Sequence, residues 1–327
     1  MKIMVTGGAG YVGSQLVPAL LRLGFKVLVV DNLIFGSQGL RNHLDLIELE
    51  AIDIRELGPE HFDGIDAVIH LAGISNDPTA EFDPAANTAI NYIASVNLAK
   101  LAKACGVRKF IFASSCSVYY TEKSDNYLRD ENHPVDPTAP YSWSKRQAEI
   151  RILDLTSMDF CPIILRKGTI YGSSGRMRFD LVINAFTRDA YASRCLTVNG
   201  EGRMWRPLLY IEDAVDIYIT LLQMPEDLVR GQIFNALNNN YQVISIAEEV
   251  RNILKEKSLV NIKIIKEGNL RSYRVDGTKL YRLLGTAPNC QIKPAVERMW
   301  KMLENRINFN NDIYYNIRYL KALNEIK

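Results

Sequence analysis

The segment "KIMVTGGAGYVGS" constrains this chain more than any other. An apolar, β-branched run stops at Gly7, and Gly7, Gly10 and Gly13 then recur at every third position up to the start of a stretch with helical spacing. Glycine lets the main chain turn tightly and lets another group come close to its amides, and a helix N-terminus adds partial positive charge at the same place. A strand, a glycine turn and a helix in that order can cradle a pyrophosphate.

The first half of the chain repeats this unit. After "KIMVTG" and an amphipathic stretch at 14–23 come "KVLVVD", "DAVIHLAG", a second amphipathic stretch at 86–105, and "KFIFASS". The apolar runs are continuous rather than alternating, as in strands covered on both faces, so the rhythm predicts a parallel sheet with helices on either side. A helix over 141–154 and a strand "CPIILRKGTI" continue the pattern, "NHPVDPTAPY" reads as a loop, and the order then loosens. The expected fold is a Rossmann-type, doubly wound α/β sheet over 1–168, with segments around 205–240 returning to it. A smaller C-terminal α/β domain is expected over 169–327. In the Asn- and Tyr-rich tail, Ile313, Ile317, Leu320 and Leu323 stand at near-helical spacing, so the tail is expected to pack back on the body.

Asp31 ends the second strand, 18 residues past Gly13. A carboxylate there can accept hydrogen bonds from an adenosine ribose and would repel a 2′-phosphate, which points to NAD rather than NADP. Asp53 and Ile54, after the third strand, could hold the adenine edge and cover its ring. Further on, "APYSWSKRQAE" places Tyr141 and Lys145 four apart on one helix face. A free tyrosine, with a pKa of ~10, is almost wholly protonated at neutral pH, but a neighbouring ammonium and a cationic nicotinamide would both favour the phenolate. Tyr141 with Lys145 is therefore a workable proton acceptor for an alcohol.

Composition narrows the partners. Lys and Arg total 39 against 37 acidic residues, a net charge of +2 without a long basic run, so neither nucleic acid nor a membrane surface is expected as a partner. Five cysteines, Cys105, Cys116, Cys161, Cys195 and Cys290, lack metal-ligand spacing, which points to free thiols in a reducing compartment and to no metal. The apolar start is too short for a signal-peptide core, and no stretch approaches the ~18 apolar residues of a membrane span. A cytoplasmic protein acting on small molecules is expected.

Taken in order, "TGGAGYVG", Asp31-Asn32-Leu33, "HLAG", "SSCSVY", "YSWSK" and "MWRPLLYIEDA" resemble the extended short-chain dehydrogenase/reductase family, specifically its nucleotide-sugar epimerases and dehydratases. The resemblance runs over essentially the whole chain. It implies tightly held NAD and a C-terminal domain that grips a nucleoside-diphosphate sugar. Tyr141 matches the family's catalytic tyrosine, Lys145 its ribose-binding lysine, and Ser115 the hydroxyl that meets the reacting sugar oxygen. Ser114, one residue earlier on the strand, would face away as support. Tyr11, Val12, Asn32, Leu71, Ala72 and Asn91 match cofactor-lining positions, and Thr169 stands where related epimerases often have asparagine beside the sugar or diphosphate. Arg206 and Arg271 match arginine-bearing motifs suited to bidentate pairing with a diphosphate, with Arg176 and Arg178 as further phosphate contacts. Arg206 is followed by Pro207-Leu208 where the family often has Asp and an aromatic residue. Asp213 matches an acidic position that helix capping explains equally well.

The resemblance leaves the reaction open among three chemistries. A 4,6-dehydratase needs an acid and a base directly after the Ser/Thr, and this chain has Cys116-Ser117 there, which disfavours dehydration. A 4-epimerase needs only Tyr141 and Ser115 for its proton traffic and is the expected activity. A C4 dehydrogenase or 4-keto reductase, on heptose or deoxysugar substrates among others, would use the same residues. A nonenzymatic NAD-binding scaffold or sensor is a different class of function, against which the intact Ser115, Tyr141 and Lys145 argue. The resemblance also implies a homodimer packed through helices 86–105 and 141–154. Tyr120, where the family usually has glycine, finds no role in the sequence.

Overall fold

A computed structural model describes residues 1–120, 127–266, 271–286, 292–305 and 307–325. Cys290 lies outside the described residues. Seven strands form one parallel sheet: β1 (Lys2–Thr6), β2 (Lys26–Val30), β3 (Glu48–Glu50), β4 (Ala67–His70), β5 (Lys109–Ser115), β6 (Cys161–Lys167) and β7 (Gln232–Ala236). Their order across the sheet is β7-β6-β5-β4-β1-β2-β3, the doubly wound arrangement that the strand–helix rhythm predicts. The inner strands are buried almost end to end because helices cover both faces, whereas the edge strand β3 reads Glu-Leu-Glu and is half exposed.

One face of the sheet carries Ile3, Val5, Ile111, Ile163 and Leu165 and packs against the helices Gly13–Arg22 and Ile211–Gln223. The other carries Met4, Val68, Phe110, Phe112 and Ile164 and packs against Ser95–Ala104 and Pro140–Leu153. Close contact sets the first helix: a Cβ on Gly13 would lie 2.5 Å from the Gly8 Cα, so only glycine lets the helix begin there.

"CPIILRKGTI" is not one strand. At Gly168 the chain leaves the central sheet, and Thr169–Tyr171 pairs instead with Trp205–Tyr210 in a three-stranded sheet that includes Asn239–Gln242. A Cβ on Gly168 would lie 2.8 Å from the Pro207 carbonyl oxygen, so the glycine permits the crossing of the two backbones. A second small sheet pairs Cys195–Asn199 with Asn261–Ile265, beside the helices Val182–Ala192, Val243–Leu254 and Ile292–Glu304. The tail forms the helix Asn316–Glu325, which returns over the loops that follow β2 and β4. Among the described residues no helix is long and apolar enough to cross a membrane.

Candidate active site

The ends of β1, β2, β4, β5 and β6 open into one cleft of about 620 Å³. Its floor is the glycine turn. Gly7 takes a left-handed φ of +71°, and a Cβ there would come within 2.6 Å of the Ala72 amide nitrogen, so the loops after β1 and β4 touch through bare backbone. Gly10, Tyr11, Val12, Gly13, Leu71 and Ala72 line the cleft above them. Asp31 accepts from the Ala9 amide at 3.0 Å and the Leu33 amide at 2.9 Å, which ties the end of β2 to the turn. Burial raises its carboxyl above the ordinary range, against the pull of those two amides. Asn32 and Ile54 also line the cleft, as does Asp53, which is paired with Arg55 at 2.8 Å.

On the opposite wall stand Ser115, at the end of β5, and Tyr141, in the first turn of Pro140–Leu153, close enough for the serine to act on the phenol's ionisation. The Ser115 Oγ also accepts from the Ser117 amide at 3.1 Å. Burial and then the Asp77 charge push the Tyr141 phenol up to about 12, while Ser115 and Arg178 act the other way. Lys145, one turn further on, is 4% exposed. Its Nζ lies 4.8 Å from the Phe112 ring centroid and has no hydrogen-bond partner among the described residues. Burial, helped by the Lys167 charge, brings its ammonium down to about 7. A cation in the cleft would favour the phenolate, and a hydroxyl or other acceptor would satisfy Lys145.

Ser114 points to the far side of β5, where its Oγ donates to Glu149 at 2.5 Å. Cys116 is buried and its thiol, pushed up by burial, contacts the Arg166 carbonyl. Ser117 faces the cleft. No carboxylate stands at either position.

The other expected positions divide. Thr169, Arg176 and Arg178 line the cleft. Arg178 pairs with Asp180 at 2.8 Å and donates to Ser75 at 3.0 Å, so it sits fixed beside Tyr141 with its charge largely balanced. Asn91 lies one layer behind the wall, on a π-helical turn at Ala89–Ala94. Its amide is spent on Ile74, through bonds of 2.8 and 2.9 Å, and on Asn87. It therefore holds the loop after β4 rather than presenting its amide to the cleft. Arg271 is paired with Asp77 and Glu81 and lies 5.4 Å over the Tyr120 ring, which gives Tyr120 a contact. Arg206 donates to the carbonyls of Trp205 and Arg271, and neither arginine lines the cleft. Asp213 accepts from Asn238 at 2.6 Å and is structural.

Two cleft residues escaped the sequence reading. Lys167 lines the cleft beside Ser115, its neighbour across the β5–β6 ladder, and its ammonium is brought down to about 8 mainly by burial. Asp77 reaches the cleft from the start of the short helix Asp77–Phe82, with one carboxylate oxygen on Arg271 and the other buried without a hydrogen-bond partner among the described residues. Strand alternation from Ser115 could have flagged the lysine; nothing local flags the aspartate. Among the described residues there is no cluster of three side chains able to hold a metal.

These residues fit a dinucleotide: glycines where backbone must be approached, a carboxylate at the end of the second strand, and, beside the tyrosine, an ammonium with no hydrogen-bond partner among the described residues. The fold and the cleft together define a dinucleotide-binding protein of the Rossmann type. A sequence profile of the NAD dependent epimerase/dehydratase family matches residues 3–236, and the chain belongs to that family, with NAD as its cofactor. Among curated relatives, a Methanocaldococcus jannaschii protein whose own assignment as a UDP-glucose 4-epimerase is provisional is 27% identical over 93% of this chain and 98% of its own length. UDP-glucuronic acid decarboxylase 4 of Arabidopsis thaliana is 27% identical over 94% of this chain and 69% of its own. Among solved structures, the Thermotoga maritima UDP-glucose 4-epimerase with UDP-glucose superposes with a TM-score of 0.82 at 25% identity, covering 93% of this chain and 100% of that one. The Bacillus cereus UDP-glucuronic acid 4-epimerase, in complex with UDP-glucuronic acid and NAD, gives 0.82 at 24% identity, covering 94% and 100%.

Proposed function

We propose that the protein is an NAD-dependent nucleotide-sugar 4-epimerase. The observation that carries this reading is Tyr141 beside Ser115 on the cleft wall, one helical turn from Lys145, whose ammonium has no hydrogen-bond partner among the described residues, in a cleft where positions 116 and 117 offer no carboxylate for an elimination. NAD, when bound, supplies reversible hydride transfer at C4 of the sugar. Ser115 holds the C4 hydroxyl, Tyr141 takes its proton as the ketone forms, and the same phenol returns a proton when the ketone is reduced from the other side. Lys145 holds the ribose and, with the cofactor's positive charge, lowers the Tyr141 pKa from its unliganded value of about 12. Asp31 takes the adenosine ribose, and Asp53 with Ile54 takes the adenine.

Thr169 and Arg178 line the sugar side in this reading, and Arg206 and Arg271 receive the diphosphate once Arg271 exchanges Asp77 and Glu81 for phosphate oxygens. The protein would act as a cytoplasmic homodimer, and the substrate domain would be built mainly from 169–327. A second reading, a single hydride transfer as in a C4 dehydrogenase or 4-keto reductase, uses the same residues. The cations Lys167 and Arg178 on the cleft wall, and relatives named for UDP-glucuronic acid, also make sugars with an acidic group worth including as substrates.

The test is to incubate purified protein, without added cofactor, with a panel of UDP-, GDP- and CDP-sugars, uronates included, and to follow products by NMR. Interconversion of C4 epimers is the expected result. A 4-keto product accumulating in step with bound NADH would overturn the epimerase reading in favour of the second.

A further inference from the structure

The C-terminal helix Asn316–Glu325 bridges the two lips of the NAD cleft. On one lip, Tyr319 packs against Phe35, in the loop after β2, with ring centroids 5.3 Å apart. On the other, Asn316 donates to the Ser75 Oγ at 2.7 Å, and the Lys321 ammonium lies 5.7 Å over the Phe82 ring. Asn316 is only 5% exposed and also accepts from Arg176 at 2.7 Å, while the Arg176 guanidinium lies 3.9 Å over Phe35. Phe35, Ser75, Phe82, Arg176, Asn316 and Leu320 all line the cleft itself. The Nε of Arg176 is buried there without a partner.

A helix that merely completed the hydrophobic core would touch one wall and carry its apolar side chains inward. This one spends a buried amide, a stacked ring and an ammonium on groups from both sides of the opening. It lies outside the 3–236 region that matches the family profile.

We propose that the C-terminal helix is a wall of the cofactor site, and that Asn316 and Tyr319 retain NAD between turnovers. Release of NAD then requires the helix to leave Phe35 and Ser75. The proposal rests on the reading that NAD stays resident, because retention is useful only where one cofactor molecule both takes and returns the hydride.

The test uses the full chain with Asn316→Ala, Tyr319→Ala and both together. Protein as purified is passed repeatedly through a desalting column, and the NAD that remains is released with acid and quantified against time. Loss of a hydrogen bond or a stacked pair predicts release about tenfold faster in each single variant. Thermal unfolding with and without added NAD separates retention from general packing: NAD-free variants should melt near the parent, with a smaller rise on adding NAD. Release at the parent rate, or a loss of NAD-free stability with an unchanged NAD-induced rise, overturns the role of the helix. A parent chain that purifies without NAD removes the resident-cofactor premise alone. The variants are then compared by NAD titration, where an unchanged Kd again overturns the helix and a tenfold weaker one supports it.

Discussion

Arg166 and Lys167 follow one another on β6 and face opposite sides of the sheet, and their surroundings could hardly differ more. Arg166 is 1% exposed and makes two bonds to Glu149, at 2.9 and 2.7 Å, and one to the Tyr119 hydroxyl at 2.7 Å. Ser114 and Arg146 complete the carboxylate's shell, and Asn235 accepts from Tyr119. Burial opposes the arginine's charge, but Glu149 outweighs it and keeps the guanidinium firmly protonated. Lys167 faces the cleft with no hydrogen-bond partner among the described residues. Its nearest charged neighbours there include Lys145 and Arg178, and its ammonium is destabilised. The same contrast recurs one helical turn apart on Pro140–Leu153, where Glu149 is saturated and Lys145 is not. A buried charge held by several partners fixes structure, whereas buried cations that face a cleft without an ion-pair partner among the described residues mark a place where a ligand could act on them.

Breaking the satisfied side should cost the most. Glu149→Ala leaves Arg166 charged, buried and unpaired, which predicts a loss of about 3–5 kcal/mol in urea unfolding. A stability within 1 kcal/mol of the parent would mean that the network relaxes around water. On the other side, Tyr141→Phe removes the proposed proton carrier and little else. Turnover should fall about a thousandfold while NAD content and unfolding midpoint stay at the parent values. Residual turnover within tenfold would assign the proton transfer elsewhere.

Lys167→Met sharpens the comparison with a smaller effect. In the folded, NAD-free chain Lys145 and Lys167 titrate at about 7 and about 8, below the ~10.4 of an unfolded lysine. Between those values the unfolded chain binds more protons than the folded one, so these lysines make stability rise as pH rises from about 7 towards 10. Lys167→Met removes one of the two steps and relieves Lys145. The variant should therefore melt a few degrees higher than the parent at pH 7, with the difference narrowing towards pH 10. A constant difference across that range would show that packing, not charge, is responsible.

The parts of the site that were legible in the sequence are those made by neighbours along the chain. The turn from Gly7 to Gly13, the carboxylate closing β2, and the Tyr141–Lys145 pair at i, i+4 each carry their geometry in their spacing. The parallel sheet followed from continuous apolar runs for the same reason. The break at Gly168 was hidden because an apolar strand reads alike in either sheet, and only the crossing of Pro207 requires the glycine there. Asn91 matches a position near the cofactor, and only the π-helical turn shows that its amide is spent on Ile74. Tyr120 found its contact only when Arg271, distant in sequence, came over its ring.

By itself, then, the sequence determined the doubly wound sheet, the glycine turn that opens its first helix and the tyrosine–lysine pair, because local periodicity and short spacings dictate them. Tertiary structure alone decided that Lys167 finds no ion-pair partner among the described residues, that Arg271 is held by Asp77 and Glu81, and that the last helix spans the cleft between Phe35 and Ser75. Those contacts join residues dozens to hundreds of positions apart, and their energies depend on burial and on which charges meet, neither of which a linear pattern encodes.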